Sequence, residues 1–307
     1  MELLTGPGPG VSTVVIIGNF DGVHLGHQAL IHQAKEIGAM HGLPVVALTF
    51  DPHPSLVLRP NPPKHYLITP RDLKLHWLDH YGVDFVRVLS FDHNLAMVPP
   101  MAFLALEVQQ KLQAQAVVVG YNFTFGAGGL GTAETLKQWG AASHVKVRIV
   151  EPVNADSVVV SSSAIREHIS QRQIDKANEL LGHPFSVQSV VYHGEGRGST
   201  IGIPTLNLLP VEQQIMPPFG VYAGYVTLGE ANNALLPAVA NWGIRPTFGG
   251  HKPVLEVHVI DQTLPDLHDN VVRFDFQQAL RSEQKFESVD ELIRQIHYDV
   301  DRARQLL

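Results

Sequence analysis

The feature that most constrains this chain is an alternation of short apolar runs and amphipathic stretches in its first half. The runs typical of buried strands are residues 14–17, 45–49, 85–89, 116–119 and 145–150. Between them, apolar residues recur at helical spacing. Strands that alternate with helices predict right-handed crossovers and a parallel sheet covered on both faces. Ligands of such sheets bind outside the carboxyl ends of the strands, so functional residues are expected just after those runs.

The second half has a different pattern, which predicts a second domain. Its short β-like segments, separated by glycine and proline, are residues 187–192, 221–228, 236–240, 254–260 and 271–276. This spacing is typical of an antiparallel sheet or a small barrel. A long helix closes the chain, and Ser288 with Glu291 predicts its capping box. Residues 164–181 indicate a helical pair with a glycine stop, so we place the domains at 1–182 and 183–307.

Composition narrows the classes of function. The chain has 307 residues, with 22 Lys and Arg against 29 Asp and Glu, a net charge of -7. That balance argues against nucleic acid or a membrane surface as a partner, although a local basic pocket for a small phosphate stays open. The absence of cysteine excludes disulfides and thiolate chemistry. The sequence predicts neither a signal peptide nor a membrane span, and we expect a cytoplasmic protein without an obligatory protein partner.

The strand at residues 14–17 leads into the sequence GNFDGVHLGH at residues 18–27. A turn rich in glycine that enters a helix presents free N–H groups and a positive dipole end to an anion. His24 and His27 share one face of a helical turn, where two imidazoles donate hydrogen bonds to phosphate oxygens. Gly26 between them allows a nucleotide ring to approach the backbone. The alternative is a strand, turn and helix with two solvated histidines.

A second motif, GYNFTFG at residues 120–126, follows the strand candidate at 116–119. Asn122 supplies donors and acceptors, and Phe123 and Phe125 are suited to enclose an aromatic ligand. The alternative is a glycine-bounded turn with core phenylalanines.

A third motif, VSSSAIR at residues 160–166, precedes a predicted helix. Ser162 and Ser163 are first of all a capping sequence. Arg166, one turn further, adds a fixed fork of donors suited to phosphate.

The second half contains a glycine-rich loop, GEGRGSTIG at residues 194–202. It lacks the ending of a P-loop, but its backbone N–H groups are suited to bind phosphates as a nest. The sequence PTLN at 204–207 follows, and in an extended chain Thr205 and Asn207 point to the same side. A hydroxyl and an amide carbonyl are hard oxygen ligands for Mg²⁺. A strand entry with two solvated polar residues is the alternative.

Residues 255–259 alternate cleanly, with Glu256 on the side opposite to Leu255 and Val257. A carboxylate fixed on a strand is suited to accept the proton of an attacking alcohol. An exposed glutamate on an amphipathic strand is the simpler alternative.

Taken in order, and together with TFDPHP at residues 49–54, these motifs resemble the bifunctional riboflavin kinase/FAD synthetases of bacteria. The first motif is similar to the His-x-Gly-His motif of the nucleotidylyltransferase superfamily. The resemblance implies an α/β chain with a Rossmann-like nucleotidylyltransferase domain and a parallel sheet. It also implies a following antiparallel β-barrel kinase domain with a C-terminal helix. The implied small-molecule partners are riboflavin, FMN and ATP, with Mg²⁺ accompanying ATP, and FMN and FAD as products.

The resemblance also assigns roles to residues. The implied catalytic residues are His24, His27 and Arg166 in adenylyl transfer and Glu256 in riboflavin phosphorylation. The implied nucleotide and phosphate contacts are Gly18, Phe20, Asp21, Gly26, Ser162, Ser163, Gly194, Arg197, Gly198, Gly202, Thr205 and Asn207. The implied flavin contacts are Asn122, Phe123, Phe125 and Arg281, and the implied metal ligands are Thr205 and Asn207.

Some positions depart from the family pattern. Asn122 stands where the family often has an acidic residue, and His268 with Asp269 replaces a Tyr-Gly pair. Ser199 stands where a second arginine is frequent. Three alternatives therefore stay open: a chain with only one activity, most plausibly an FAD synthetase with a weak or absent kinase; a flavin-binding regulator without catalysis; and adenylylation of another phosphate substrate.

Overall fold

The computed structural model describes residues 1–192, 202–229, 232–244, 253–262, 264–265 and 267–307. The chain divides into two compact units, Met1–Ser162 and Ser163–Leu307. The predicted boundary after residue 182 stays a prediction. Within the described part of the chain, no helix combines the length and the apolar character needed to cross a membrane.

The first unit alternates strands with helices, as the apolar runs predict. Its strands are β1 (Glu2–Leu3), β2 (Thr13–Ile17), β3 (Val45–Asp51), β4 (Phe85–Ser90), β5 (Ala114–Gly120), β6 (Lys146–Val150), β7 (Asn154–Ala155) and β8 (Val158–Val159). Its helices are α1 (Leu25–His41), α2 (Pro54–Leu58), α3 (Arg71–His80), α4 (His93–Ala96), α5 (Pro100–Phe103) and α6 (Ala133–Ser143). A π-helix at Leu104–Lys111 continues α5, and Ala127–Gly129 forms a short 3₁₀ turn.

Six of these strands form one parallel sheet in the order β1-β4-β3-β2-β5-β6. The chain moves from β2 outward through β3 and β4 and then returns to the other side of β2 as β5. A crevice opens between neighbouring strands where the strand order reverses in this way. The segments that follow β2 and β5 therefore border a common crevice.

Both faces of this sheet are buried, which explains why its central strands are continuously apolar. Alternate residues of β2 point to opposite faces. Val14 and Ile16 pack with α1 and α3 residues such as Leu30 and Trp77. The other face packs against the π-helix and α6, through residues that include Val15, Ile17, Leu104, Val108, Leu136 and Trp139. The sheet is therefore packed on both faces by helices of this unit.

Among its described residues, the second unit contains a closed antiparallel barrel and three helices. Helix α7 (Ser162–Ser170) begins at the last residue of the first unit and is followed by α8 (Ile174–Leu181). The strands are β9 (Phe185–Tyr192), β10 (Leu206–Leu208), β11 (Gly220–Leu228), β12 (Asn232–Ile244), β13 (Pro253–Val259) and β14 (Val271–Ser282), and α9 (Val289–Leu306) closes the chain. They pair in the order β10-β13-β12-β11-β14-β9. The predicted α/β chain with a parallel sheet, an antiparallel barrel and a C-terminal helix is confirmed.

Helix α9 covers part of the barrel's outer face. Val300 and Ala303 pack against Val221 and Ala223 of β11. At the start of the helix, Ser288 Oγ accepts the backbone N–H of Glu291 at 3.2 Å, as the capping sequence predicts. The Glu291 carboxylate accepts the N–H of Glu287 rather than that of the cap residue. The expected capping box is therefore present in its first half and shifted by one residue in its second.

Candidate active sites

The histidine pair lies at the carboxyl end of the central strand β2. Helix α1 begins at Leu25, so His24 is the residue immediately before the helix. The imidazoles of His24 and His27 stack with ring centroids 3.7 Å apart and planes 20° apart, and the ring of Phe20 lies 5.2 Å from that of His27. The first helical turn contains no acidic residue. Two imidazoles and a helix N-terminus therefore lie at one edge of the sheet, which is an arrangement suited to an anion.

Burial decides the protonation state of His27. The pKa of His27 is held well below its usual 6.5, mainly by burial and further by the nearby His24 and Lys74. Nδ1 of His27 is buried and has no hydrogen-bond partner within the described residues. A neutral imidazole then keeps its proton on Nε2, because a buried N–H without an acceptor is costly. His27 is therefore arranged as a neutral N–H donor.

The turn before the histidines is held in an unusual backbone conformation. Phe20 has φ of 50° and Val23 has φ of 37°, a region that non-glycine residues rarely adopt. The buried Asp21 carboxylate accepts the N–H groups of Ile68 and Thr69 at 2.9 and 3.0 Å. These bonds hold a strained turn in place, as is common where a ligand is bound. The predicted phosphate contacts of Gly18, Phe20 and Asp21 stay predictions.

Gly26 makes room for the imidazole of His24. A Cβ atom at Gly26 would lie 3.1 Å from Cε1 and Nδ1 of that ring. We expect Gly26→Ala to displace His24 by a few tenths of an ångström and to slow the FMN adenylylation that the family resemblance implies by roughly 2- to 10-fold, less than the ~100-fold cost of a misplacement of about 1 Å. Alanine favours the helix, so stability is not expected to fall. Thermal unfolding measured beside the rate of FAD formation checks this, and an unchanged rate would contradict it.

The turn after β5 brings the predicted flavin residues to the same crevice. Phe123 and Phe125 stack with centroids 5.3 Å apart and planes 14° apart. Phe125 is buried and contacts Phe103 of α5 at 6.0 Å between centroids, whereas Phe123 is half-buried and Asn122 is exposed. Phe125 therefore anchors the turn in the core, while Phe123 and Asn122 present surface to a ligand. Their flavin contact stays a prediction.

The serines before α7 have different environments. Ser162 Oγ donates to the backbone carbonyl of Asp21 at 2.9 Å, which ties this segment to the turn after β2. Ser163 is exposed, and Arg166 is half-buried one turn along the same helix. The contribution of Ser162, Ser163 and Arg166 to phosphate binding stays a prediction.

On the barrel, register places three polar side chains side by side. Glu256 of β13 lies between Asn207 of β10 and Asn241 of β12, each directly opposite it in the neighbouring strand. Directly paired residues of antiparallel strands share a face. Nδ2 of Asn241 lies 3.5 Å from Oε2 of Glu256, whose side chain is 7% exposed. The glutamate is therefore a fixed, nearly buried carboxylate on the outer face of the barrel, and not a solvated one.

The predicted metal ligands lie at the start of β10. Thr205 and Asn207 are half-buried, and Nδ1 of His258 lies 2.9 Å from the carbonyl oxygen of Pro204. A hydroxyl, an amide oxygen and the carboxylate of Glu256 form a donor set of hard oxygens, which suits Mg²⁺. Within the described residues, no group of three or more histidine and acidic side chains forms a metal cluster by itself. An ion here would need oxygen ligands from phosphate as well.

Some predicted residues of this half lie outside the described residues, namely Gly194, Arg197, Gly198 and Ser199. Gly202 is described and has φ of 76°, a conformation that favours glycine. Their predicted phosphate contacts stay predictions.

Arg281, predicted to contact flavin, is bound to the C-terminal helix. Its Nε donates to the buried Asp299 carboxylate at 2.9 and 3.2 Å, and its guanidinium lies 5.7 Å from the centroid of the Phe286 ring. The ion pair joins β14 to α9, so Arg281 shapes this part of the barrel. A direct flavin contact stays a prediction.

The structure draws attention to two residues that sequence reasoning did not name as catalytic, phosphate-binding or metal-binding. Asn241 contacts Glu256, and Lys74 of α3 lies near the histidine pair. Asn241 belongs to a segment, residues 241–248, that the family resemblance covers, but only strand register places it beside the carboxylate. Lys74 had no comparable signal in the sequence.

Comparison with known proteins covers both units. A family model described as FAD synthetase matches residues 10–164, and one described as riboflavin kinase matches residues 181–307. The bifunctional riboflavin kinase/FMN adenylyltransferase of Escherichia coli K12 is 37% identical over 298 residues, 97% of this chain and 93% of that protein. The protein of the same name from Bacillus subtilis is 35% identical over 295 residues, 95% of this chain and 91% of that one.

Among solved structures, a crystal structure described as a macrolide-efflux protein from Streptococcus pneumoniae is 31% identical and matches with a TM-score of 0.87. The match covers 98% of both chains. The first family model covers most of the parallel-sheet unit, and the second covers the barrel with its C-terminal helix. The chain therefore belongs to the bifunctional riboflavin kinase/FMN adenylyltransferase family, with an FAD synthetase domain followed by a riboflavin kinase domain.

Proposed function

We propose that this chain makes FAD from riboflavin in two successive ATP-dependent steps, each on its own site. Riboflavin and ATP give FMN and ADP on the barrel, and FMN and a second ATP give FAD and pyrophosphate on the parallel-sheet unit. The observation that carries the proposal is the presence of two chemically different polar sets. One is a stacked histidine pair at a helix N-terminus, and the other is a nearly buried carboxylate between two asparagines.

In the first step, Glu256 accepts the proton of the ribityl 5′-hydroxyl as that oxygen attacks the γ-phosphorus of ATP. The bond between the γ-phosphorus and the bridging oxygen breaks, and ADP leaves. Asn241 and the strand register hold the carboxylate in position. Mg²⁺ bound with ATP would be held by Thr205 and Asn207 and would neutralise phosphate charge. We assign the ATP phosphates to the loop containing Gly194, Arg197, Gly198 and Gly202.

In the second step, a phosphate oxygen of FMN attacks the α-phosphorus of ATP, and pyrophosphate leaves. No covalent enzyme intermediate is needed. His24 and His27 donate N–H bonds to phosphate oxygens, and the α1 N-terminus faces the negative charge that develops. By family resemblance, Arg166 stabilises the leaving pyrophosphate, Ser162 and Ser163 contact ATP, and Asn122 and Phe123 contact the flavin.

One departure from the family pattern is compatible with an active kinase. Asp269 replaces a frequent glycine, yet its φ is 59°, in the left-handed region that glycine would supply. Aspartate tolerates this conformation better than most residues. The aspartate is therefore compatible with the left-handed backbone at this position and does not favour the alternative of an inactive kinase half.

The test is to incubate the purified chain with riboflavin, ATP and Mg²⁺ and to resolve FMN from FAD by chromatography. We expect FMN to form first and FAD to follow. A chain that forms FMN but no FAD has only the kinase activity, and one that forms FAD only from supplied FMN has only the adenylyltransferase activity. Flavin binding without ATP consumption would instead support a flavin-binding regulator. Competition of FMN adenylylation by other phosphate substrates tests the remaining alternative.

A further inference from the structure

Lys74 is the one buried lysine of the described residues, with 5% of the residue exposed. It extends from α3 to the carboxyl edge of the sheet. Its Nζ lies 3.0 Å from the carbonyl oxygen of Phe50, 3.4 Å from that of Asn19 and 3.4 Å from Thr49 Oγ1. These three oxygens belong to the end of β3 and to the turn after β2. Lys74 therefore joins two neighbouring strand ends at the edge where the histidines lie.

The contacts of Nζ fit the charged form of this side chain. Carbonyl oxygens only accept hydrogen bonds, and the hydroxyl of Thr49 donates to the carbonyl of Asn19 at 3.2 Å, so it too accepts from Lys74. Three acceptors match the three protons of an ammonium. Burial lowers the pKa of Lys74, and the carboxylates of Asp21 and Asp51 oppose that change, while Arg71 adds to it.

We propose that Lys74 is a positioning residue of the adenylyl-transfer site, which fixes the turn after β2 and keeps a buried positive charge behind the histidine pair. The inference rests on the proposed adenylyl transfer. Asn19, whose carbonyl it contacts, lies between Gly18 and Phe20 in the turn expected to meet the nucleotide. Loss of this contact therefore removes one of the bonds that hold the segment leading into the histidines.

The charge has a separate role from the hydrogen bonds. His27 is neutral, so it cannot itself supply positive charge to a polyphosphate. Lys74 is near enough to help lower the pKa of His27, together with His24 and burial. A fixed charge in a poorly solvated position acts strongly on the His27 imidazole and on the ATP phosphates. It keeps the imidazole in its N–H-donating neutral form and attracts the phosphates of ATP.

The test compares Lys74→Met and Lys74→Gln, which remove the charge, with Thr49→Val, which removes a hydrogen-bonding partner from the same cluster and keeps the charge. FAD formation from FMN is measured against pH, and the titration of His27 is followed by ¹⁵N NMR of labelled histidine. In both lysine variants we expect the pKa of His27 to rise. Because activity needs the neutral imidazole, its acid limb moves to higher pH, and kcat falls roughly 10- to 100-fold. Thr49→Val should change neither the pKa of His27 measured by NMR nor the pH at which the acid limb of activity lies.

Riboflavin phosphorylation by the same samples serves as an internal control and should not change. Lysine variants whose His27 titration and pH profile equal those of the wild type would overturn the inference, even if they were less stable. A wild-type chain that forms no FAD from FMN would instead overturn the proposed function, and the catalytic role of Lys74 with it.

Discussion

Glu256→Gln is expected to reduce riboflavin phosphorylation by roughly 10²- to 10⁴-fold, the usual contribution of a general base. Glutamine keeps the size of the side chain and its contact with Asn241, but it cannot accept the proton of the attacking hydroxyl. FAD formation from supplied FMN should stay at the wild-type rate, since the His24 and His27 pair belongs to the other unit. Measuring the two reactions separately, each with its own starting flavin, checks the prediction.

The matched control is Glu287→Gln, which makes the same chemical change at an exposed position of the same unit. It should leave both reactions unchanged. Loss of both activities in Glu256→Gln would count against two independent sites. Retained phosphorylation would remove Glu256 from the role of base and leave it as a structural carboxylate beside Asn241.

The second large effect is expected for His27→Ala. Loss of an N–H donor that meets developing phosphate charge costs about 10²- to 10³-fold in rate. The purified variant supplied with riboflavin and ATP should therefore accumulate FMN, which chromatography of the products will show. Because His27 acts as a neutral donor, His27→Gln should retain more activity than His27→Ala.

His32→Ala is the control, because it removes an imidazole from the same helix at a side chain that is 75% exposed. It should form FAD normally. Undiminished FAD output from His27→Ala would exclude the proposed role. A mixture of Glu256→Gln and His27→Ala should convert riboflavin to FAD, since each variant supplies the step that the other lacks.

Much of the architecture was predictable because secondary structure follows local periodicity. The apolar runs of the first half became β2 to β6, and the helix at the C-terminus starts at the predicted cap. The two-residue strand β1 was missed, since Glu2–Leu3 is too short to show a pattern and is defined by pairing with β4. Strand β12 extends beyond the predicted residues 236–240 because it pairs with β11 and β13 along its length.

For the candidate sites, the sequence indicated the main residues but not their neighbours in space. Residue type and position after or along a strand made His24, His27 and Glu256 candidates, and the family resemblance assigned their roles. The neighbours of those residues did not follow from spacing. Asn241 lies beside Glu256 only because β12 pairs with β13. A lysine on a surface helix is usually solvated, so the burial of Lys74 could not be predicted from the sequence of α3.

The amino-acid sequence was therefore enough to predict most of the strands and helices and to name candidate side chains for the chemistry. Both depend on local periodicity and on residue type, which can be read along the chain. The neutral form of His27, the burial of Lys74 and the two asparagines beside Glu256 could not be predicted in this way and follow from the folded structure. These properties arise from desolvation and from contacts between residues far apart in sequence, and both exist only once the sheet and the barrel have formed.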